Sequence, residues 1–212
     1  IVGIYGDNVL HEAYGSTEGG IISNLRPADQ LRKLQCVGQP FPCTNIKVVN
    51  ESGDECNPNE VGELFSSSPY LFNGYWKRPK ETAEALDSDG WLTVGDLAKK
   101  DDEGYLYIVD RKKDMVISGG INIYPREIEE ILFQHPDVID AAVIGVPDEK
   151  WGEALKAFLV TKDDGELSVD AIKQFCEGKI AKIKMPRKVS LIDAIPRNAG
   201  GKVLKTTLRK LD

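Results

Sequence analysis

The sequence predicts a mixed chain, α/β and α+β in class, in which a small antiparallel β-unit precedes a separate α+β domain. Three observations carry this. The 212 residues suffice for one large core or two small ones. Charge is unevenly spread: residues 1–110 hold 9 basic and 18 acidic side chains, whereas residues 111–212 hold 18 and 16. At the same point the pattern changes, from short β-rich runs punctuated by Gly, Asp, Asn and Pro to strands mixed with amphipathic helices.

In the first half, residues 45–50 and 61–66 read as two strands separated by turn residues. "PKETAEAL" places Pro79 at a first helical position, followed by good helix formers. "GWLTVGDLAKKDDEGYLYIVDRKKD" reads as two strands around a polar turn at 101–104. In the second half, "MVISGGINIYP" gives two strands hinged at Gly119-Gly120. "PREIEEILFQHP" gives a helix with Ile128, Ile131 and Leu132 on one face. "VIDAAVIGV" and "EALKAFLVTK" read as strands. Next comes a helix capped by Ser168, with Val169, Ile172 and Cys176 at core spacing. "KVSLI" is a last strand, and "KVLKTTLRKL" a last helix with Leu204, Leu208 and Leu211 inward and Lys205 at the surface.

Composition is that of a soluble globular protein, 41% apolar and 29% charged. Cys36, Cys43, Cys56 and Cys176 form no C-x-x-C pair, and the two histidines, His11 and His135, supply few metal ligands, so a reduced, cytoplasmic setting is expected. No apolar run approaches the roughly 20 residues that span a bilayer, and no charged-then-apolar leader opens the sequence. Residues 179–210 carry ten basic side chains against Asp193 alone. With no aromatic there to stack bases and a net charge of -7, nucleic acid is not an expected partner.

Four stretches carry chemistry. "YGSTEGG" (residues 14–20) joins small residues and hydroxyls to an acid, a loop suited to lie against a phosphate while Glu18 holds a magnesium ion. A polar turn after a strand explains the same residue types. In "VGDL", Asp96 follows a strand and has the acceptors to hold two neighbouring ribose hydroxyls; a turn aspartate is the plainer reading. "DRKKD" (residues 110–114) falls at the charge shift, where a solvated linker is the ordinary outcome. "AGGKVLK" sets Lys202 behind two glycines that let the backbone bend, yet Val203 follows the lysine, so this is no P-loop.

In order along the chain stand Tyr-Gly-x-Thr-Glu, Gly62-Glu63-Leu64 with Gly74-Tyr75-Trp76, Gly-Asp-Leu, Asp-Arg-Lys-Lys-Asp, Ser-Gly-Gly-x-Asn-Ile-Tyr-Pro-x-Glu-Ile-Glu, and Pro-Arg-Asn-x-x-Gly-Lys. This ordered set resembles the adenylate-forming (AMP-binding) superfamily of acyl-CoA synthetases, luciferases and peptide-synthetase adenylation domains. The resemblance implies ATP-dependent activation of a carboxylic acid, fatty or otherwise apolar, to an acyl-adenylate, then transfer to CoA with release of AMP. A peptide-synthetase-type adenylation domain or another adenylate-forming enzyme is the alternative. It implies that residues 1–110 close the large AMP-binding domain, 111–114 are a hinge, and 115–212 form a mobile domain carrying the catalytic lysine. By the same resemblance Tyr14, Gly15, Ser16 and Thr17 meet the nucleotide, with Tyr14 stacked on adenine and Thr17 at phosphate. Glu18 binds Mg²⁺, Asp96 and Arg111 grip the ribose, and Lys113 is the hinge. Ser118, Gly119 and Gly120 form a hairpin facing the CoA tunnel, and Lys202 bridges the carboxylate and the α-phosphate. No phosphate loop with a Pro-Lys ending occurs, so the chain is expected to be the C-terminal portion of a longer enzyme. Alone it is expected to be inactive, and it leaves room for a homo-oligomer.

Overall fold

The computed structural model describes residues 2–6, 8–162 and 167–211, and the chain divides into two compact units, Ile1–Lys112 and Lys113–Asp212. In the first, a helical turn α1 (Val2–Tyr5) is followed by strands β1 (Glu12–Ser16), β2 (Gly20–Leu25) and β3 (Gln39–Pro40), paired antiparallel in that order. Residues 14–20, expected as a loop, are instead a hairpin: Tyr14, Gly15 and Ser16 end β1, and Thr17, Glu18 and Gly19 make the turn. Gly15 allows this, because a Cβ there would sit 1.9 Å from the Gly20 carbonyl oxygen on the facing strand. The glycine of this motif therefore serves close strand approach.

Strands β4 (Asn45–Val49), β5 (Gly62–Ser67), β6 (Asp96–Lys100) and β7 (Leu106–Arg111) form a four-stranded antiparallel sheet in chain order, with helix α2 (Pro79–Ala85) between β5 and β6. Asp96, expected just past a strand, opens β6. Val48, Leu64, Ala98 and Leu106 make the core on one face. The β6–β7 turn is closed by Asp101, whose Oδ1 accepts the Glu103 and Tyr105 N–H groups. Its Oδ2 lies 2.6 Å from Lys33 Nζ, tying the turn to the segment after β2.

The second unit opens with β8 (Val116–Ser118), β9 (Ile121–Ile123), α3 (Pro125–Leu132), β10 (Val138–Asp148) and β11 (Gly152–Thr161). Helix α4 (Val169–Cys176), strand β12 (Lys188–Leu191) and a short helix α5 (Lys205–Leu208) complete it. The sheet runs β10-β11-β8-β9, with β12 parallel to β11. Both faces are covered. Ala141, Val143, Leu155 and Leu159 pack with Ile128 and Leu132 of α3 and Ile172 and Cys176 of α4. The alternate residues Ala142, Ile144, Val146 and Phe158 pack with Ile195 and Leu208. Two buried faces explain why residues 141–146 of β10 and 157–160 of β11 read as apolar runs.

Two expectations are corrected here. Val169 is 38% exposed: it lies in the first turn of α4, outside the cluster that takes Ile172 and Cys176. Of the three leucines expected inward near the end, only Leu208 is buried, while Leu204 and Leu211 are exposed. One α-helical turn there passes into a 3₁₀ turn (Arg209–Leu211), so a 3.6-residue stripe is not sustained. Among the described residues, no helix is long and apolar enough to cross a membrane.

Ser168 does cap α4, its hydroxyl accepting the Ala171 N–H at 3.1 Å. Ser168→Ala is expected to destabilise the second unit by about 1 kcal/mol, read as a lower urea midpoint at unchanged slope.

Candidate active site

The register of β6 against β7 sets Asp96 directly opposite Arg111. Arg111 Nε lies 3.0 Å from Asp96 Oδ1, a charge contact whose N–H is not aligned as a hydrogen bond. The far end of the guanidinium donates to the Val94 carbonyl at 2.8 Å, which fixes its plane. Into this pair reaches Tyr14 from β1, its hydroxyl donating to Asp96 Oδ2 at 2.5 Å. Three motifs far apart in sequence thus share one carboxylate. Burial, then the hydrogen bond to Asp96 and its charge, push the Tyr14 phenol well above the ordinary tyrosine range, so it stays a donor.

Four residues past Tyr14, Glu18 sits in the hairpin turn. Tyr75 Oη donates to its Oε1 at 2.6 Å, and the Phe72 N–H donates to its backbone carbonyl at 2.8 Å. The Tyr75 hydrogen bond, working against partial burial and helped by the Arg111 charge, holds the Glu18 carboxyl below the usual glutamate range. Thr17 beside it is exposed, and Ser16 Oγ accepts the Gly19 N–H, closing the turn. Among the described residues there is no cluster of three or more His, Cys, Asp or Glu that would hold a metal alone. A single ionised carboxylate is the donor set that suits Mg²⁺ completed by phosphate oxygens and water.

In the second unit Ser118 is buried at the end of β8, and Gly119 and Gly120 turn the chain into β9 with left-handed φ of 59° and 79°. Gly119 rests on Trp151, donating its N–H to the Trp151 carbonyl at 2.9 Å. Lys113 is exposed within a 3₁₀ turn (Lys112–Asp114). Lys202 is exposed on a loop that is far from slack. Asn198 Oδ1 accepts the N–H groups of Gly200 and Lys202, the Asn198 N–H donates to the Lys202 carbonyl, and Arg197 bridges to Val203. Gly201, at φ 80°, supplies the left-handed residue that closes the turn. The glycines shape a preformed hairpin and do not loosen it, correcting the expectation of a bending approach.

Both flanks of that hairpin are anchored. The Arg197 guanidinium donates to both Asp140 oxygens at 2.8 and 2.9 Å and to the Gly201 carbonyl. Lys205, expected at the surface, lies 3.0 Å from Glu129 Oε1 with both side chains largely buried, and the same oxygen accepts the Val143 N–H. Lys184 and Arg209 also meet acids, Glu127 and Asp114, so the basic run of residues 179–210 is not a free stripe of charge. Sequence reading placed Tyr75, Arg197 and Asn198 in the ordered motifs but assigned them no role and left Lys205 at the surface, since each acts through a partner remote in sequence or through a local turn.

Comparison with known proteins bears on the same segments. The family model for the AMP-binding enzyme C-terminal domain matches residues 127–202, and that for the AMP-binding enzyme itself matches residues 2–76. The chain belongs to the AMP-binding enzyme family. Within it, this chain is 45% identical over 202 residues to a long-chain-fatty-acid–CoA ligase of Mycobacterium tuberculosis, covering 94% of the chain and 39% of the relative. An indoleacetate–CoA ligase of Aromatoleum aromaticum is 40% identical, with 95% and 40% covered. The o-succinylbenzoate coenzyme A synthetase of Bacillus subtilis, solved with ATP and a magnesium ion, superposes with a TM-score of 0.86 at 37% identity over 93% of this chain and 41% of that one. An amide bond synthetase of Marinactinospora thermotolerans gives 0.86 at 35%, over 96% and 41%. The chain spans about 40% of the length of the curated relatives it matches.

Removing the Asn198 acceptor should open the Lys202 hairpin while its anchors hold. In Asn198→Ala, amide exchange at Gly200 and Lys202 is expected to rise by about tenfold or more, with β10 and β11 unchanged. Unchanged exchange at those two amides would contradict the account of the loop.

Proposed function

We propose that the chain is the C-terminal portion of an AMP-forming acid–thiol ligase that activates a fatty or other apolar carboxylic acid with ATP and passes the acyl group to CoA. The convergence of Tyr14 and Arg111 on Asp96 carries this reading, because it builds a paired carboxylate and cation beside an aromatic ring, the chemistry that grips a ribose and its base. Residues 1–110 close the large AMP-binding domain, 111–114 form the hinge with Lys113, and 115–212 form the mobile domain.

In the first half-reaction the substrate carboxylate oxygen attacks the α-phosphorus of ATP, the bond to the β-phosphate oxygen breaks, and pyrophosphate leaves. Tyr14 stacks on the adenine, Gly15 and Ser16 pass beneath the nucleotide, and Thr17 donates to phosphate. Glu18, held ionised, is the protein ligand for Mg²⁺. When bound, that ion neutralises phosphate charge that would otherwise oppose attack. Lys202 places its ammonium between the carboxylate oxygen and the α-phosphate, where negative charge grows in the transition state. In the second half-reaction the CoA thiol sulfur attacks the acyl carbonyl and AMP departs. The hairpin of Ser118, Gly119 and Gly120 faces the pantetheine path in that step. Because the Lys202 loop is a fixed hairpin, its withdrawal is movement of the whole second unit.

The fatty-acid and indoleacetate ligases among the relatives support the choice of an apolar acid. An acceptor other than CoA is the second reading, favoured by the likeness to the amide bond synthetase.

Carboxylate-dependent ATP–pyrophosphate exchange by the full-length enzyme tests the proposal. Wild type is expected to exchange with fatty or aryl acids, and Lys202→Ala to lose on the order of 10²-fold in rate. Asp96→Ala is expected to raise the KM for ATP about tenfold or more with a smaller change in kcat. Exchange that survives Lys202→Ala intact would contradict the role of that lysine. Exchange without CoA-dependent AMP release would move the acceptor to the second reading.

A further inference from the structure

The Gly74-Tyr75-Trp76 stretch has no role in the reaction proposed above, yet it touches the site. We propose that Tyr75 is a positioning residue that holds the Glu18 carboxylate in place for the magnesium ion of Mg·ATP. The proposal rests on the reading of Glu18 as that ion's protein ligand.

The segment from Phe72 to Tyr75 grasps Glu18 at two ends. The Phe72 N–H donates to the Glu18 carbonyl at 2.8 Å, fixing the backbone, and Tyr75 Oη donates to Oε1 at 2.6 Å, fixing the side chain. The two rings pack edge to face with centroids 4.9 Å apart, so the contacts move together. Tyr75 is in turn pinned from behind. Its N–H donates to Thr82 Oγ1 at 2.9 Å, and the Thr82 hydroxyl donates to the Arg78 carbonyl at the start of α2. Gly74 permits this approach, since a Cβ there would sit 2.9 Å from the Thr82 methyl carbon.

Burial alone does not account for Tyr75, which is 36% exposed. A ring kept only for packing would need no hydroxyl, and here the hydroxyl has a charged partner. Tyr75 also shares a cleft of about 450 Å³ with Thr93, Val94 and Gly95, the residues leading into Asp96. It therefore stands between the Glu18 hairpin turn and the start of β6. A glutamate free in solution samples many rotamers, and fixing one before the ion arrives removes that ordering cost from binding. The phenol uses one acceptor position of a carboxylate that has about four, so the group keeps capacity for a cation. Partners of this kind tune metal sites through orientation of the ligand.

Mn²⁺ in place of Mg²⁺ gives a readout that does not depend on turnover. Free Mn²⁺ is counted by electron paramagnetic resonance in the presence of a non-hydrolysable ATP analogue and the full-length enzyme as wild type, Tyr75→Phe and Glu18→Gln. Affinity for AMP without metal is measured alongside. Tyr75→Phe is expected to weaken Mn²⁺ binding about tenfold while AMP affinity stays within about twofold, because Tyr14, Asp96 and Arg111 are untouched. If Glu18→Gln weakens Mn²⁺ binding and Tyr75→Phe leaves it within about twofold, the positioning role is overturned and the role of Glu18 stands. If Tyr75→Phe weakens AMP and Mn²⁺ alike, Tyr75 only supports the fold and the proposal is likewise overturned. If Glu18→Gln leaves Mn²⁺ binding intact, the magnesium role of Glu18 fails and the proposal fails with it.

Discussion

The contact on which the proposed nucleotide seat depends is the meeting of Asp96 and Arg111 across β6 and β7. It is set by strand register, so both side chains emerge on the same face at the same level whenever the sheet forms. A one-residue slip would send one of them to the opposite face. Tyr14 then completes the cluster from a separate sheet, and Asp96 is satisfied from two sides before any ligand arrives. A charge held this way loses little freedom on binding, which is the physical meaning of a preorganised site.

The second unit solves the complementary problem of presenting a single cation. Lys202 stands exposed at the tip of a hairpin whose form is fixed by Asn198 and whose flanks are fixed by Arg197 with Asp140 and Lys205 with Glu129. The Lys205–Glu129 pair is the better shielded of the two, and stranding one member of a buried pair costs about 3–5 kcal/mol. Such anchoring keeps the lysine's base stationary relative to β10 and leaves reach to its own flexible stem. In the proposed cycle, passage between the half-reactions then falls to motion at Lys113 and its neighbours.

Much of this was legible in the sequence, for reasons that can be named. The four-stranded antiparallel sheet, the Pro125 helix and the Ser168 cap follow from local patterns, turn residues and capping chemistry. The ordered motifs, through the resemblance they carry, pointed to Tyr14, Glu18, Asp96, Arg111 and Lys202 as candidate site residues, and Tyr14, Asp96 and Arg111 do meet. Two local patterns misled. The small residues after Tyr14 read as a loop and the glycines before Lys202 as slack, but in one place a glycine allows two strands to approach and in the other the glycines close a turn. The final leucines read as a helical stripe, but the helix passes into a 3₁₀ turn. What stayed hidden was pairing at a distance. Nothing in the local sequence of Tyr75 names Glu18, 57 residues away, and nothing around Lys205 names Glu129.

Tyr14, Asp96 and Arg111 are proposed to form the seat for the adenosine of ATP. A crystal structure of the full-length enzyme soaked with AMP tests it most directly. Adenine is expected against the Tyr14 ring, with both ribose hydroxyls within hydrogen-bond distance of Asp96 or Arg111. Nucleotide bound elsewhere, with the Tyr14–Asp96–Arg111 cluster untouched, would contradict it.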